Sequence, residues 1–173
     1  MNLIITCGRH LEDEAAEEIS MILNDLGDKG PRVDISNLSG ILTALTSLDP
    51  FFVVRKIQEK ILDEPWSIRY CHRIIPIQEV VVTEKDSIVN AALNHTEAIK
   101  SQNTYRITVE KRHSTISTNE IIDAIASRIQ NKVSLKKFDW IVLVEILGNK
   151  TGVSILKEDD VISTQRLKRS LSE

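Results

Sequence analysis

The second half of the chain contains the segment 141–156, which reads IVLVEILGNKTGVSIL. Residues 141–146 are almost entirely apolar, a pattern typical of a central strand that is covered on both faces. Residues 148–152 contain glycine and asparagine, which are typical of a hairpin loop, and residues 153–156 resume the strand pattern. The segment therefore predicts a pair of neighbouring strands inside a sheet.

The residues before this pair extend the same pattern towards the N-terminus. Residues 104–111 alternate, so that Tyr105, Ile107 and Val109 fall on one face of a predicted strand. Ser117 lies three residues before Glu120, which is the spacing of a capping box, and predicts the start of a helix. A second helix is expected over residues 86–100. The second half is thus predicted to mix strands and helices.

The first half has its own order of elements. Strands are expected over residues 3–7, 33–36 and 40–45 and within the run 68–82, which Pro76 interrupts. A helix is expected over residues 14–26. A second helix should begin with Asp49 as N-cap and Pro50 in the first helical position. This β-α-β-β-α-β order predicts a ferredoxin-like domain.

Composition indicates an ordinary globular protein of 173 residues, 42% hydrophobic and 27% charged. The net charge is −3, but its distribution is uneven. Residues 1–99 carry 9 lysines and arginines against 16 acidic residues, whereas residues 100–173 carry 13 against 9. Such asymmetry indicates a polyanion-binding end of the chain. The alternative is chance variation over solvated surfaces.

Catalytic and metal-binding signatures are not found in the sequence. It contains no glycine-rich phosphate loop and no nucleophile motif of the G-x-S-x-G type. The four histidines fit no metal-ligand spacing, and we expect Cys7 and Cys71 to be small buried hydrophobes. Acidic pairs such as 17–18 are expected to be solvated surface. We therefore expect no catalytic site, metal or cofactor and, without a signal peptide or membrane span, a cytoplasmic protein.

Two basic segments are candidates for binding phosphate. Lys111 and Arg112 open a cationic turn between a strand and the capped helix, where free backbone N–H groups offer a further anion site. The alternative is a turn that is basic for solubility. Strand alternation places Arg69, Cys71 and Arg73 on one face, where the two arginines can form a fork for phosphate. They can equally pair with the acidic residues of the first half.

A third basic segment contains Lys132, Lys136 and Lys137. It is expected near the end of the last long helix. The cations can contact phosphate there, or they can simply complement the helix dipole.

Five segments, in this order, resemble the THUMP domain of tRNA thiolation, methylation and deamination enzymes: residues 104–112, 120–126, 132–135, 138–146 and 152–156. Residues 69–76 also resemble the segment that joins a ferredoxin-like domain to a THUMP domain. Because the sequence stops soon after Leu156, the chain resembles the stand-alone THUMP proteins. The best-known of these, the Tan-type family, are adaptors for tRNA acetylation.

The resemblance implies a fold and a division into domains. It implies an α+β (α/β) fold, with a ferredoxin-like βαββαβ domain followed by an α/β THUMP domain that contains a mixed sheet. The expected domains are 1–65 and 66–158, with the division between them left open within residues 65–86. Residues 159–173 are expected to form a basic C-terminal tail or helix.

The resemblance also implies a function. It implies a non-catalytic adaptor that binds the acceptor end of tRNA by shape and phosphate contacts, with an RNA acetyltransferase as its enzyme partner. The implied RNA-binding residues are Arg69, Arg73, Arg106, Lys111, Arg112, Lys136 and Lys137. Alternatives are a tRNA-binding subunit for a separately encoded thiolation or methylation enzyme, and an interaction module with no RNA role. The acidic first half would either orient the RNA or face the enzyme.

Overall fold

A computed structural model describes the whole chain, Met1–Glu173. The chain divides into two compact units. The first comprises Met1–Ile77 together with Asp159–Glu173, and the second comprises Gln78–Glu158. None of the helices is long and apolar enough to cross a membrane.

The first unit has the predicted ferredoxin-like order of elements. These are β1 (Leu3–Cys7), α1 (Glu12–Asp25), β2 (Arg32–Ile35), β3 (Ile41–Leu45), α2 (Pro50–Asp63) and β4 (Cys71–Pro76). The strands lie in the order β2-β3-β1-β4, and every neighbouring pair is antiparallel. Apolar residues of both helices pack against the sheet in one core, with Ile19, Leu23, Ile57 and Ile61 almost fully buried. The α+β expectation is confirmed.

The second unit contains a mixed four-stranded sheet, as predicted. Its elements are β5 (Glu79–Val82), α3 (Lys85–Leu93), β6 (Tyr105–Arg112), α4 (Thr118–Ala126), β7 (Trp140–Leu147) and β8 (Lys150–Leu156). The strand order is β5-β8-β7-β6, and only β6 and β7 run parallel. The predicted loop 148–152 is a shorter turn, because Gly148 adopts a φ of 61° and lets the strands continue to Leu147 and Lys150.

The remaining elements return the chain to the first unit. They are β9 (Ile162–Ser163) and α5 (Thr164–Ser170). Strand β9 pairs antiparallel with β4 and extends the first sheet to five strands. Residues 159–173, expected as a tail or helix, are thus an integral part of the first unit.

The division between the units lies after Ile77, which is later than the expected boundary at 65/66 and within the range 65–86. Strand β4 belongs to the first unit because it pairs with β1 from Pro76 to Cys71. The run 68–82 was predicted as interrupted strand. It forms two strands in different sheets, since β4 ends at Pro76 and β5 pairs with β8. A strand pattern indicates burial but does not indicate which sheet a strand joins.

One predicted helix is shorter in the structure. The helix expected over residues 86–100 is α3, which ends at Leu93. The Thr96 hydroxyl donates to the Leu93 carbonyl, and a short 3₁₀ turn, Thr96–Ala98, follows. Local side-chain capping at this point therefore ended a helix that the apolar spacing alone would have continued.

Candidate nucleic-acid interface

A carboxylate of α1 holds the segment that leads into β4. The Glu18 carboxylate accepts hydrogen bonds from the backbone N–H groups of Arg69 (2.6 Å), Tyr70 (3.0 Å) and Cys71 (2.8 Å). The expectation that residues 17–18 are simply solvated surface is therefore wrong for Glu18. Its role is structural, because it accepts hydrogen bonds from three consecutive backbone N–H groups where the chain enters β4.

A bulge in β4 changes the predicted face of this segment. Thr6 pairs with Arg73 and Cys7 pairs with Cys71, so His72 has no partner in β1. An unpaired extra residue shifts the alternation of side chains. As a result Cys71 lies in the core, fully buried, and the prediction that it shares a face with Arg69 and Arg73 is wrong. Burial also raises the pKa of its thiol, so that it stays protonated.

The C-terminal helix α5 is fastened to the same segment. The Thr164 hydroxyl donates to the carbonyl oxygens of Cys71 (2.6 Å) and His72 (3.1 Å). The Lys168 ammonium donates to the Ile68 carbonyl at 2.6 Å. These bonds join residues more than ninety positions apart in sequence. They place the basic side chains of α5 beside those that flank β4.

An open groove of about 830 Å³ lies between these elements, and we call it the C-terminal groove. Its polar and charged lining consists of Thr6, Arg69, His72, Arg73, Ser163, Thr164, Gln165, Lys168, Arg169 and Ser172. Arg69 and Arg73 were predicted as phosphate ligands, and the groove brings them together. Lys168 and Arg169 were not among the predicted site residues. The basic character of the predicted C-terminal tail was the feature of the sequence that could have indicated them.

Arg106, a predicted RNA ligand in the second unit, braces a neighbouring loop. Its guanidinium donates to the Leu135 carbonyl at 3.3 Å and lies 5.3 Å from the centre of the Phe138 ring. Tyr105 adds two backbone bonds, one to the Lys132 carbonyl and one from the Ser134 amide. Together these contacts order residues 131–138, which we call the lysine loop.

The lysine loop exposes the predicted ligands Lys136 and Lys137, together with Lys132. None of the three ammonium groups has a hydrogen bond or ion pair within the protein. Because α4 ends at Ala126, the expectation that these cations lie near a helix end is wrong, and the helix dipole does not account for them. The side chain of Leu135, 67% exposed, lies among them.

The basic side chains of the turn at Lys111 and Arg112, predicted as phosphate ligands, both have contacts within the protein. The Arg112 guanidinium lies 3.3 Å from a carboxylate oxygen of Glu145, whose side chain is fully buried. The Lys111 ammonium donates to the Ile116 carbonyl at 2.9 Å. Ser117 caps α4 as predicted, since its hydroxyl accepts the Glu120 amide hydrogen bond. Both predicted phosphate ligands of this turn thus make contacts inside the protein.

The seven predicted residues therefore fall into two groups. Arg106, Lys111 and Arg112 have partners within the protein. The other four have no side-chain partner: Arg69, Arg73, Lys136 and Lys137. Two of these lie in the C-terminal groove of the first unit, and two lie in the lysine loop of the second unit.

Solved structures share this fold at low sequence identity. PH1313 from Pyrococcus horikoshii superposes with a TM-score of 0.67 and 16% identity, over 91% of this chain and 55% of that protein. TrmN from Thermus thermophilus superposes with a TM-score of 0.61 and 15% identity, over 90% of this chain and 45% of that protein. A 4-thiouridine synthetase solved with RNA and ATP superposes with a TM-score of 0.53 and 10% identity, over 94% of this chain and 42% of that protein. This chain therefore spans about half the length of each, and the likeness shows the fold.

Sequence comparison with protein families identifies the second unit more directly. No curated protein sequence matches the chain. Residues 83–156 match the family model of the THUMP domain. The matched range runs from Thr83, just after β5, to the last residue of β8, and it contains the whole lysine loop. The match lies entirely within the second unit, which therefore resembles a THUMP domain over most of its length.

Proposed function

We propose that this chain binds tRNA through its THUMP domain. We further propose that it is a non-catalytic adaptor for a separate enzyme that acetylates cytidine in tRNA. The observation that carries the proposal is the lysine loop, an ordered segment inside the THUMP domain that exposes three cations without partners in the protein. Cations held in this way can pair with phosphates without first breaking an internal ion pair.

The composition of the chain supports binding by shape and phosphate contacts. Only 4% of its residues are aromatic, whereas platforms that stack unpaired bases require aromatic side chains. Burial raises the pKa of both thiols, Cys7 and Cys71, which makes them poor nucleophiles and argues against catalysis through a cysteine. The synthetase that shares the fold was solved with RNA, in agreement with an RNA ligand.

We expect the triple variant Lys132→Ala, Lys136→Ala, Lys137→Ala to bind tRNA more weakly by roughly 10- to 100-fold. Each phosphate contact that is lost also reduces the dependence of log K on log salt, by about 0.7 to 0.9 per contact. The slope of log K against log salt should therefore be smaller in magnitude by about 2 for the triple variant. Fluorescence anisotropy of labelled tRNA, titrated between 50 and 200 mM salt, measures both quantities.

The control for this experiment removes the same charge elsewhere. Lys29, Arg32 and Arg55 are exposed and have no side-chain partner, so their triple alanine variant changes the net charge equally. It should retain the affinity and slope of the natural protein. Equal losses in both triple variants would mean that net charge, and not the lysine loop, determines binding.

The adaptor role is tested by the modified nucleosides of cellular tRNA. Deleting the gene should remove acetylcytidine from tRNA digests analysed by mass spectrometry, and the natural protein but not the lysine-loop variant should restore it. Loss of a thiolated or methylated nucleoside instead would assign the chain to the corresponding enzyme. An unchanged set of nucleosides would contradict the adaptor role and favour an interaction module with no part in RNA modification.

A further inference from the structure

We infer that the C-terminal groove of the first unit is a second binding site for RNA, which takes phosphate groups of the backbone. The site lies outside the THUMP domain, in the unit that carries most of the acidic residues. It is built by Arg69 and Arg73 on one side and by Lys168 and Arg169 of α5 on the other. The inference shares with the proposed function the assumption that the ligand is RNA.

The charges of the groove suit phosphate. Arg69, Arg73 and Arg169 have no hydrogen bond or ion pair for their guanidinium groups within the protein. A guanidinium group can donate two parallel hydrogen bonds to one phosphate, which an ammonium group cannot do. Three arginines around one groove, in a chain whose net charge is −3, are a local concentration of positive charge that solubility does not require.

The groove is also held in place before any ligand binds. Glu18 fixes the backbone at residues 69–71, and Thr164 fixes the start of α5 to the carbonyl oxygens at the start of β4. The pairing of Arg73 with Ser163 joins β4 to β9. Ordering of the site therefore costs little free energy when a ligand binds, which is the general advantage of preorganisation.

The lining favours a nucleic-acid strand over a lipid surface. Thr6, Gln165 and Ser172 add hydroxyl and amide groups that can bond to phosphate and sugar oxygens. Membrane-binding surfaces instead place exposed apolar side chains beside their cations on a convex or flat helix face. A concave groove of about 830 Å³, lined mainly by residues with charged, hydroxyl or amide groups, does not present such a face.

The test uses the double variant Arg69→Ala, Arg169→Ala of the full chain. Both side chains are exposed and without partners, so the variant should fold normally, which circular dichroism can verify. We expect about 10-fold weaker tRNA binding and a salt slope smaller by about 1 to 2. The matched control, Arg32→Ala, Arg55→Ala, should bind as the natural protein does. Equal affinity of the double variant and its control would overturn the inference.

A second measurement separates this site from the lysine loop. Inorganic phosphate, titrated at constant ionic strength against chloride, should shift the Nε–H signals of Arg69, Arg73 and Arg169 in nitrogen-15 NMR spectra, and it should do so equally in the lysine-loop variant. If the natural protein does not bind tRNA but these shifts occur, the phosphate site stands and the proposed function fails. Absence of the shifts would overturn the phosphate site.

Two further comparisons decide whether the phosphate groups that bind in the groove belong to RNA or to a lipid surface. Phosphate-induced shifts without any effect of the double variant on tRNA affinity would overturn the assignment to RNA. Binding to vesicles of anionic phospholipid that the double variant abolishes, with tRNA binding intact, would also overturn it and would assign the groove to a membrane surface.

Discussion

Replacing Arg112 with alanine should lower the free energy of unfolding of the second unit by about 2–4 kcal/mol. The partner, Glu145, is fully buried in the central strand β7, and the variant would leave its charge without the guanidinium group 3.3 Å away. Removing one member of a buried ion pair usually costs about 3–5 kcal/mol, and both the partial exposure of Arg112 and a further interaction of Glu145 within the protein reduce that figure. Hydrogen exchange of the β7 amides, combined with urea denaturation, locates and measures the loss.

Two further variants make this prediction specific. Lys111→Ala removes the neighbouring cation, whose bond to the Ile116 carbonyl is exposed, and should cost less than about 1 kcal/mol. Adding Glu145→Gln to Arg112→Ala removes the buried charge and should recover part of the lost stability. If Arg112→Ala and Lys111→Ala were equally mild, the ion pair would have no structural importance. Any RNA affinity measured for Arg112→Ala must therefore be corrected for the fraction of the variant that is unfolded.

Replacing Glu18 with alanine should destabilise the first unit by about 2–3 kcal/mol. The variant removes the acceptor of three backbone hydrogen bonds, at 2.6, 3.0 and 2.8 Å, each strengthened by the charge of the carboxylate. Water can reach the exposed Arg69 amide in the variant, and this limits the loss of stability. Urea denaturation measures the stability, and faster hydrogen exchange at residues 69–71 should accompany its loss.

Glu17 provides the control for Glu18 within the same helix. It is exposed and has no side-chain partner, so Glu17→Ala should change the stability by less than about 0.5 kcal/mol. On the proposed role of the C-terminal groove, the Glu18 variant should also bind tRNA more weakly, because the segment that carries Arg69 is no longer fixed. Similar stabilities of the two variants would show that the bonds of Glu18 contribute nothing to the fold.

The elements that the sequence determined by itself are those with local causes. Alternation and apolar spacing predicted most strands and helices of both units, since periodicity records which face of an element is buried. They predicted neither strand β9 nor the split of residues 68–82 into two strands. Asp49 caps α2 and Ser117 caps α4, as predicted, because a cap and its amide lie only two or three residues apart. The order of these elements was sufficient for the ferredoxin-like plan and for the THUMP resemblance.

Tertiary structure decided which charged side chains can meet a ligand. Arg112 and Glu145 are 33 residues apart, and Glu18 reaches amides more than fifty residues away. The C-terminal helix joins the first unit across 92 and 93 positions of sequence. No local pattern records such pairings, because whether a cation is neutralised depends on the acceptors that the fold brings within about 3 Å of it. The sequence therefore determined the elements, and only the fold separated the cations that have partners inside the protein from those that remain free to meet a ligand.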